Sequence, residues 1–533
     1  MRSNIQTIMC VVWSAVAVAA PRVALADADS CTELAATMLD DVTIETAKVQ
    51  PAGEPVEGAL VPNASGAPGP LSGLPAFCRV IGRAELEAGS DVRFEVWLPI
   101  SAWTGRYTGG SNGGFAGYIS YTDLAAAVLA GHAGASTDTG HVGSTDVDSS
   151  WAVGRPERVR DYGWRAIHVT TVIAKQLMAA YYGRGPDYSY FIGCSNGGRQ
   201  GLMEAWRYPE DYDGIIAGAP AARFTTLVGS FITTVQAQLP EGAALRPEQF
   251  SLVQSEVLKQ CDALDGQDDG LVSNPRACRF DATSLLCGNQ SSADCLTSLQ
   301  LDAFSQILEG RRDRYGRVVA FGYPASGAEA GPLGWGAWFA AAGGVKTPHA
   351  TFADGLLQSL MPTPTATAET FDFDGDREAL EDALGPDLDV EPRLRPYFER
   401  GGKLILWQGW ADGGVPAPLT LSFHRALARN AGSLADDALR LFMVPGVQHC
   451  SAGTGPDLLG QAGAPPPQAA PERSLGAALE AWVETGRAPD SVIGGFSSDT
   501  TGERTRLVCA YPKNAELQDG KDPNKGESYA CQD

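Results

Sequence analysis

Short apolar runs alternate with longer amphipathic stretches over much of the chain. Four of the runs predict buried β-strands: Val92 to Leu98, Tyr188 to Ile192, Lys403 to Trp407 and Leu439 to Val444. A fifth buried strand is predicted over Ala126 to Ala135, and helices over Trp164 to Tyr182, ending at Gly183, and over Gly198 to Tyr208. Strands that alternate with helices are typical of a mostly parallel sheet covered on both faces. The pattern therefore predicts an α/β fold.

The pattern changes near residue 222 and returns near residue 397. Between these points the sequence is less periodic, richer in turn residues, and contains four cysteines and two tryptophans. A chain of 533 residues is also long for a single core. We therefore expect a core domain made of residues 27–221 and 397–533, interrupted by an inserted lid domain at residues 222–396.

Acidic side chains outnumber basic ones. The chain has 63 Asp and Glu residues against 40 Lys and Arg, which gives a formal net charge of −23 and a pI near 4.7. This balance argues against binding to nucleic acid or to an anionic membrane. The hydrophobic fraction of 44% and the charged fraction of 19% are typical of a folded protein.

The first 26 residues have the features of a secretory signal peptide. Arg2 provides the positive charge, Ile8 to Ala20 the apolar stretch, and Ala24-Leu25-Ala26 the cleavage site. The apolar stretch is too short for a membrane anchor. Since no other segment is apolar over a sufficient length, we expect a secreted or periplasmic protein.

The cysteines support export. Those beyond residue 26 are Cys31, Cys78, Cys194, Cys261, Cys278, Cys287, Cys295, Cys450, Cys509 and Cys531. An even number in an exported chain predicts five disulfide bonds, whose pairing the sequence leaves open. No CxxC spacing or close Cys/His pairing recurs, which argues against a zinc site.

A nucleophile elbow, G-x-S-x-G, occupies Gly193 to Gly197 between a predicted strand and a predicted helix. An isolated motif of this kind is more often only a tight turn. Here Asp412 and His449 each follow a later predicted strand, and the order Ser, Asp, His is that of the α/β-hydrolases. We predict Ser195 as the nucleophile, His449 as general base and acid, and Asp412 as the residue that orients the imidazole.

Two backbone N–H groups are expected to stabilise the oxyanion of acyl transfer. One belongs to Asn196, the residue after the nucleophile. The other is predicted in the glycine-rich loop at residues 109–114, from Gly113 or Asn112. The alternative is that this loop is only a turn.

Cysteines flank two of the predicted catalytic residues. Cys194 precedes Ser195, and Cys450 follows His449. A bond between them would narrow the unfolded ensemble and hold both loops in register. The alternative is that each is a small buried apolar side chain.

An acidic segment, Cys261 to Leu271, has four Asp residues within eight positions. Carboxylates, backbone carbonyls and glycine turns suit Ca²⁺, although the spacing is not that of an EF-hand. The composition alone favours a calcium site and an acidic solvated loop equally.

With these motifs the chain resembles the tannase and feruloyl esterase family, which includes the enzyme that hydrolyses mono(2-hydroxyethyl) terephthalate. The resemblance extends over nearly the whole mature chain. The stretches that carry it are Asp161 to His168, Ala179 to Gly183, Gly193 to Gly201, Arg207 to Pro209, Gly218 to Pro220, Gly409 to Asp412 and Gly446 to Cys450.

The resemblance implies an α/β-hydrolase fold with a large inserted lid domain and a catalytic Ser195, Asp412 and His449. It implies the disulfide bond Cys194–Cys450 and, by analogy, the pairs Cys31–Cys78, Cys261–Cys278, Cys287–Cys295 and Cys509–Cys531. It also implies a structural Ca²⁺ site in the lid, with side-chain ligands Asp262, Asp265 and Asp269 and carbonyl ligands Gln267 and Leu271.

The lid is expected to select the acyl group. Trp335, Trp338 and Phe339 are predicted as aromatic walls for a benzoyl or cinnamoyl ring, with lid core as the alternative. A terephthalate half-ester would need a cation near its free carboxylate, for which Lys346 and the pair Arg311-Arg312 are candidates.

We therefore predict a secreted serine carboxylesterase that cleaves small aromatic esters, feruloyl or galloyl, through an acyl-enzyme on Ser195. A hydrolase of terephthalate half-esters is the alternative within the family, and a general hydrolase or acyltransferase is another. A catalytically silent protein that binds phenolic ligands is the alternative from another class.

Overall fold

The computed structural model describes residues 28–62, 67–288, 294–340, 346–364 and 366–533. The signal peptide predicted at residues 1–26 lies outside these ranges. None of the helices within them is long and apolar enough to cross a membrane.

A nine-stranded mixed sheet lies at the centre of the described structure, in the order β1-β4-β5-β7-β6-β8-β9-β12-β13. The first pairs, from β1 through β4 and β5 to β7, are antiparallel. The pairs from β7 to β13 are parallel. The other strands form the two-stranded sheets β2–β3, β10–β11, β14–β15 and β16–β17. The strands are β1 (Val42–Gln50), β2 (Leu60–Pro62), β3 (Pro68–Pro70), β4 (Phe77–Ala84), β5 (Val92–Pro99), β6 (Arg106–Gly109), β7 (Ala133–Thr137), β8 (Tyr188–Cys194), β9 (Gly214–Gly218), β10 (Gly310–Arg312), β11 (Val318–Phe321), β12 (Lys403–Gly409), β13 (Leu439–Val444), β14 (Ser491–Gly495), β15 (Thr505–Cys509), β16 (Asn514–Leu517) and β17 (Tyr529–Gln532).

Helices cover both faces of this sheet. Alternate residues of a strand point to opposite faces, and in β12 Leu404 packs in one apolar cluster while Ile405 packs in another. Helices α4, α5 and α13 contribute to the first cluster and α15 to the second. The α-helices are α1 (Ala28–Glu33), α2 (Tyr121–Leu129), α3 (Pro156–Arg160), α4 (Ala166–Tyr182), α5 (Asn196–Arg207), α6 (Phe224–Ala237), α7 (Pro247–Cys261), α8 (Ser298–Glu309), α9 (Trp335–Phe339), α10 (Pro348–Gly355), α11 (Arg377–Leu388), α12 (Arg395–Glu399), α13 (Ala417–Ala431), α14 (Ala435–Ala438) and α15 (Leu475–Thr485).

One predicted strand is wrong in its first half. Residues 126–129 belong to α2, and the strand β7 begins only at Ala133. The first half is rich in alanine, the strongest helix former, and a short apolar run does not by itself distinguish a helix from a strand. Gly131, with φ 75°, turns the chain between the two elements. The other predicted strands and helices agree with β5, β8, β12, β13, α4 and α5 within a few residues.

The lid, residues 222–396, contributes no strand to the central sheet in its described part. One apolar cluster, which includes Phe250 and Trp335, lies wholly within the lid. Another joins lid residues such as Phe231 to Tyr162 and Leu419 of the core. The second cluster fixes the lid against the core, and the exact boundaries of the lid remain a prediction.

Five disulfide bonds join the described cysteines: Cys31–Cys78, Cys194–Cys450, Cys261–Cys278, Cys287–Cys295 and Cys509–Cys531. The pairing implied by the family resemblance is therefore confirmed. Two of the bonds lie within the lid, and Cys194–Cys450 connects the end of β8 to the loop after β13.

Candidate active site

Ser195 lies in the sharp turn between β8 and α5. Its backbone has φ 61° and ψ −122°, a conformation that residues with a side chain rarely adopt. The N–H of Ser195 donates to Gly218 O at 2.9 Å, which holds the turn against the end of β9. A Cβ on Gly193 would lie 2.5 Å from the backbone of Gly197. The motif therefore needs glycine at this position to bring strand and helix so close together.

Asp412 follows β12 and is 1% exposed. Its Oδ1 accepts from the backbone N–H groups of Gly414 and Val415, each at 2.8 Å. Its Oδ2 accepts from Nε2 of Gln408 at 2.9 Å. A buried carboxylate needs such donors to remain charged, and these three also fix its orientation.

His449 follows β13 and contacts Asp412. The imidazole Nδ1 lies 2.9 Å from Oδ1 and 3.0 Å from Oδ2 of the carboxylate. Because a carboxylate can only accept, Nδ1 carries the proton and Nε2 is left as an acceptor. His449 and Ser195 line the same cavity, although the described structure contains no hydrogen bond between the two side chains. Such bonds are often long before substrate binds.

The disulfide bond Cys194–Cys450 ties the loop of Ser195 to the loop of His449. The two Cα atoms are 6.0 Å apart, and 256 positions separate them in sequence. The bond thus joins two segments that approach each other only in the folded chain.

The side chain of Asn196 is turned away from the cavity into the protein. Its Oδ1 accepts from Arg199 Nε at 2.9 Å and from the Tyr162 hydroxyl at 3.1 Å. Its Nδ2 donates to Asn112 O at 3.2 Å. Because Asn196 is the first residue of α5, its backbone N–H has no partner inside the helix. This N–H lies beside the predicted nucleophile.

Gly113 and Gly114 occupy different places in the glycine-rich loop. The N–H of Gly113 donates to the hydroxyl of Tyr118 at 2.8 Å, whereas Gly114 lines the same cavity as Ser195. Gly114 has φ 51°, and a Cβ there would lie 2.2 Å from the carbonyl oxygen of Asp146. The structure therefore brings Gly114, and not Gly113, to the predicted nucleophile. Sequence spacing alone does not distinguish neighbouring glycines.

Apolar side chains form the wall of the cavity beside Ser195. They are Ala221, Phe224, Leu227, Phe231, Trp338, Phe352 and Val415. Of the three predicted aromatic walls, only Trp338 is among them, and its ring lies edge-on to His449 with centroids 5.0 Å apart. Trp335 and Phe339 are 0% and 1% exposed and pack in the core of the lid.

Phe224, Phe231 and Phe352 were missed by sequence reasoning. They lie in α6 and α10, which carry no motif that distinguishes a cavity wall from lid core. None of the cations considered for a terephthalate carboxylate lines the described cavity. Lys346 is paired with Asp354, and Arg311 and Arg312 line a separate cleft.

Comparison with known proteins decides the family. The family model described as tannase and feruloyl esterase matches residues 78–532 of this chain. The chain belongs to the tannase and feruloyl esterase family. The predicted family is thereby confirmed, and the protein is a carboxylic ester hydrolase of this family.

Relatives and solved structures match over nearly the whole chain. It is 34% identical to an uncharacterized esterase of Xanthomonas campestris pv. campestris, over 95% of this chain and 91% of the relative. It is 30% identical to a probable feruloyl esterase B of Aspergillus niger, over 98% of this chain and 99% of the relative. The crystal structure of feruloyl esterase B from Aspergillus oryzae superposes with a TM-score of 0.84 at 26% identity, over 95% of this chain and all of that one. The predicted α/β-hydrolase fold is confirmed.

The acidic loop contains buried carboxylate oxygens without a hydrogen-bond partner. Asp262 accepts from the backbone of Gly270 and Leu271, and Asp269 Oδ2 lies 2.7 Å from Arg506 Nη1. Asp265 Oδ2 and Asp269 Oδ1 are buried without a hydrogen bond. Burial raises the pKa of Asp269. Carboxylate and carbonyl oxygens are the ligands that Ca²⁺ prefers, so the donor atoms of the loop are of the type that holds this ion.

The loop is not gathered around one point. In the described ranges, one group of three metal-ligating side chains has its ligand atoms within 4.8 Å of one another: His168, Glu204 and Asp211. The carboxylates of the acidic loop are not as close together. The guanidinium of Arg506 lies against the acidic loop instead, with Nη2 3.6 Å from Asp265 Oδ2.

His349 connects the lid to the loop of Asp412. Its Nε2 lies 2.9 Å from the carbonyl oxygen of Gly413, and its Nδ1 lies 2.8 Å from the Thr234 hydroxyl. The carbonyl can only accept, so Nε2 carries the proton and Nδ1 accepts from Thr234. Burial lowers the pKa of His349 to about 3, which keeps the ring neutral.

Proposed function

We propose that the protein is a secreted serine esterase that hydrolyses esters of aromatic acids through an acyl-enzyme on Ser195. The observation that carries the proposal is the hydrogen-bonded pair His449–Asp412, facing the same cavity as a serine on a nucleophile elbow. The relatives named feruloyl esterase B support an aromatic acyl group.

Acyl transfer follows from the placement of these groups. Nε2 of His449 accepts the proton of Ser195 Oγ as the oxygen attacks the ester carbonyl carbon. Asp412 stabilises the imidazolium that forms. The imidazolium then gives its proton to the alkoxy oxygen as the bond between that oxygen and the carbonyl carbon breaks. Water, activated by the same imidazole, releases the acid from Ser195.

The oxyanion of both tetrahedral intermediates needs donors that are already in place. We assign the backbone N–H groups of Asn196 and Gly114 to this role. Support comes from the locked side chain of Asn196 and from the position of Gly114 in the cavity wall. The N–H of Gly113 is already bonded to Tyr118.

The cavity wall favours a hydroxycinnamoyl over a galloyl group. Phe224, Phe231 and Phe352 offer no hydrogen-bonding group, so each ring hydroxyl placed among them would be unpaired, at a cost of about 1–3 kcal/mol. A galloyl ring has more hydroxyls than a feruloyl ring, so its cost is greater. A terephthalate half-ester has a full negative charge to accommodate, and the described wall supplies no lysine or arginine.

A structural Ca²⁺ ion is part of the proposal. Asp262, Asp265 and Asp269 would hold it by their side chains, and Gln267 and Leu271 by their carbonyl oxygens. When bound, the ion supplies the charge that offsets the carboxylates and so stabilises the lid. Export is supported by the signal-like sequence at residues 1–26 and by the five disulfide bonds.

The test is hydrolysis of methyl ferulate, methyl gallate, mono(2-hydroxyethyl) terephthalate and 4-nitrophenyl acetate by the wild type and by Ser195→Ala. We expect methyl ferulate to have the highest kcat/KM, and the variant to lose about 10⁶-fold in kcat. Ser255→Ala, an exposed serine of α7, is the matched control and should retain full activity. An unchanged rate in Ser195→Ala would overturn the mechanism.

Two further outcomes decide between the alternatives. Turnover of the acetate alone would rule out the aromatic acyl group. Labelling by a fluorophosphonate probe distinguishes an esterase from a silent binding protein, because only an activated serine reacts. The label should be absent from Ser195→Ala and present in Ser255→Ala.

A further inference from the structure

A second and larger cleft, with a volume of about 710 Å³, lies where the lid meets the core. Its walls come from the start of α6, the β10–β11 hairpin, the start of α11 and α13. Phe224 and Leu227 of α6 line the acyl cavity, whereas Thr225 and Thr226 line this cleft. The two sites thus share a helix but use different faces of it.

Arginine is the most frequent residue in the walls of this cleft. The lining contains Arg223, Arg276, Arg311, Arg312, Arg317, Arg377 and Arg425. Three carboxylates accompany them, those of Glu309, Glu381 and Asp389. The walls are therefore strongly positive, although the whole chain has a net charge of −23. We call this site the arginine cleft.

Most of these arginines have no carboxylate partner. Within the described residues only Arg317 and Arg377 form ion pairs, with Asp313 and Glu381. Arg311 bonds to the neutral amide of Gln236. The remaining four, Arg223, Arg276, Arg312 and Arg425, lack a carboxylate within ion-pair distance in the same part of the chain, and all four are exposed.

Helix α13 forms one wall of the cleft with a single face. Pro418, Leu421, Ser422 and Arg425 line the cleft, and their spacing of three and four residues places them on one helical face. Across the cleft, Arg311 is held in place by the ring of Phe373, 4.4 Å from its guanidinium carbon. Arginines on different walls of one cleft can bind several acidic groups of one ligand at once.

We propose that the arginine cleft binds a short oligoanion with at least three negative groups, of the carboxylate or phosphate class. Guanidinium groups recognise both classes by paired hydrogen bonds. A long polyanion such as nucleic acid would extend beyond the cleft onto a surface that is acidic overall, where it is repelled. A single carboxylate or phosphate would leave most of the arginines unused.

The test measures binding by calorimetry to full-length mature protein at low salt. The probes are tetragalacturonate, which has four carboxylates, inorganic triphosphate, and the neutral sugar maltotetraose. Because none of the probes contains an ester, the result does not depend on the proposed esterase activity. We expect one molecule of at least one anion to bind per chain, with affinity falling as salt rises, and no binding of maltotetraose. The better anion identifies the class.

The variant is Arg223→Gln/Arg425→Gln. These two side chains are exposed and make no hydrogen bond or ion pair in the described structure, so the fold should not depend on them. Arg83→Gln/Arg93→Gln is the matched control, because it removes the same charge from β4 and β5 at the other end of the sheet. We expect about tenfold or more weakening in the first variant and none in the control.

Either of two results overturns the proposal. One is the absence of binding of both anions at low salt. The other is equal weakening by the two double variants, since that would show attraction to net charge and not to the cleft.

Discussion

Gln408 Nε2 donates a hydrogen bond of 2.9 Å to Asp412 Oδ2. Thr420 fixes the amide in this orientation, because its hydroxyl donates to Gln408 Oε1 at 2.6 Å. All three side chains are buried. Gln408 is therefore a positioning residue for the proposed triad, and it acts on the substrate only through Asp412 and His449.

Replacing Gln408 by Met, which has a similar size, should lower kcat about tenfold to hundredfold with little change in KM. The reason is that the carboxylate loses a donor that fixes its plane, so the imidazole is held less accurately. Steady-state kinetics on the best ester of the panel measures the effect. Thr420→Val keeps the amide and loses only its anchor, so a smaller decrease is expected. A rise in KM at constant kcat would contradict the positioning role.

Trp338 and Trp335 should respond differently to the same truncation. Trp338→Ala opens the wall of the cavity and should lower kcat/KM for the aromatic ester much more than for 4-nitrophenyl acetate. Trp335→Ala leaves a void in the lid core and should reduce the free energy of unfolding by about 3–5 kcal/mol. Kinetics together with chemical denaturation distinguish the two. Equal losses of substrate preference in both variants would contradict the placement of Trp335 in the lid core.

The raised pKa of Glu480 should make the stability of the fold depend on pH. Its side chain is 16% exposed, and burial raises its pKa to about 7 even though Arg106 opposes the shift. A carboxyl whose pKa is higher in the folded than in the unfolded state contributes most to the stability of the fold at a pH below its unfolded pKa, near 4.5. This contribution is lost as the pH rises through 7, the pKa in the folded state.

Glu480→Gln keeps the shape of the side chain and removes the titration. Relative to the wild type, the variant should therefore gain up to about 3 kcal/mol in free energy of unfolding between pH 4.5 and pH 8. Denaturant unfolding at several pH values gives this difference. Parallel stability curves for the two proteins would show that Glu480 titrates normally.

Removal of calcium should destabilise the lid. If Ca²⁺ is present at a hundred times its Kd, its loss costs about 2.7 kcal/mol, so a chelator should lower the melting temperature and added Ca²⁺ should restore it. Asp269→Asn should abolish this response. Asp268→Asn, its exposed neighbour, should retain it. A melting temperature that does not respond to chelation, in protein without bound calcium by elemental analysis, would rule out the site.

The elements that carry local signals were predictable from the sequence. The strand–turn–helix around Ser195 has a motif of its own, and Asp412 and His449 follow clear apolar strands. The wall of the cavity has no such signal. Phe224 and Phe352 become neighbours of Ser195 only through the packing of the lid on the core. In the sequence, a helical phenylalanine that lines a cavity cannot be distinguished from one that packs in the core of the lid.

Two smaller differences have local physical causes. The sequence offered Gly113 or Asn112 as the second oxyanion donor, and the proposal of Gly114 instead depends on the Tyr118 hydroxyl, which accepts from the N–H of Gly113. The error over residues 126–129 arose because an alanine-rich apolar run suits a helix as well as a strand. Both outcomes depend on contacts that the order of residues does not specify.

The bond between Cys194 and Cys450 also determines at which stage of synthesis the active site can assemble. The residues between these cysteines include the lid and Asp412, and the bond closes a covalent ring around them. A growing chain has the elbow long before it has the second cysteine, so the ring forms only after β13 and the loop beyond it have been made. Such bonds persist in oxidising compartments. If the protein is exported as proposed, synthesis and export therefore precede the final assembly of the site. In that case the active site is completed only outside the cytoplasm in which the chain is made.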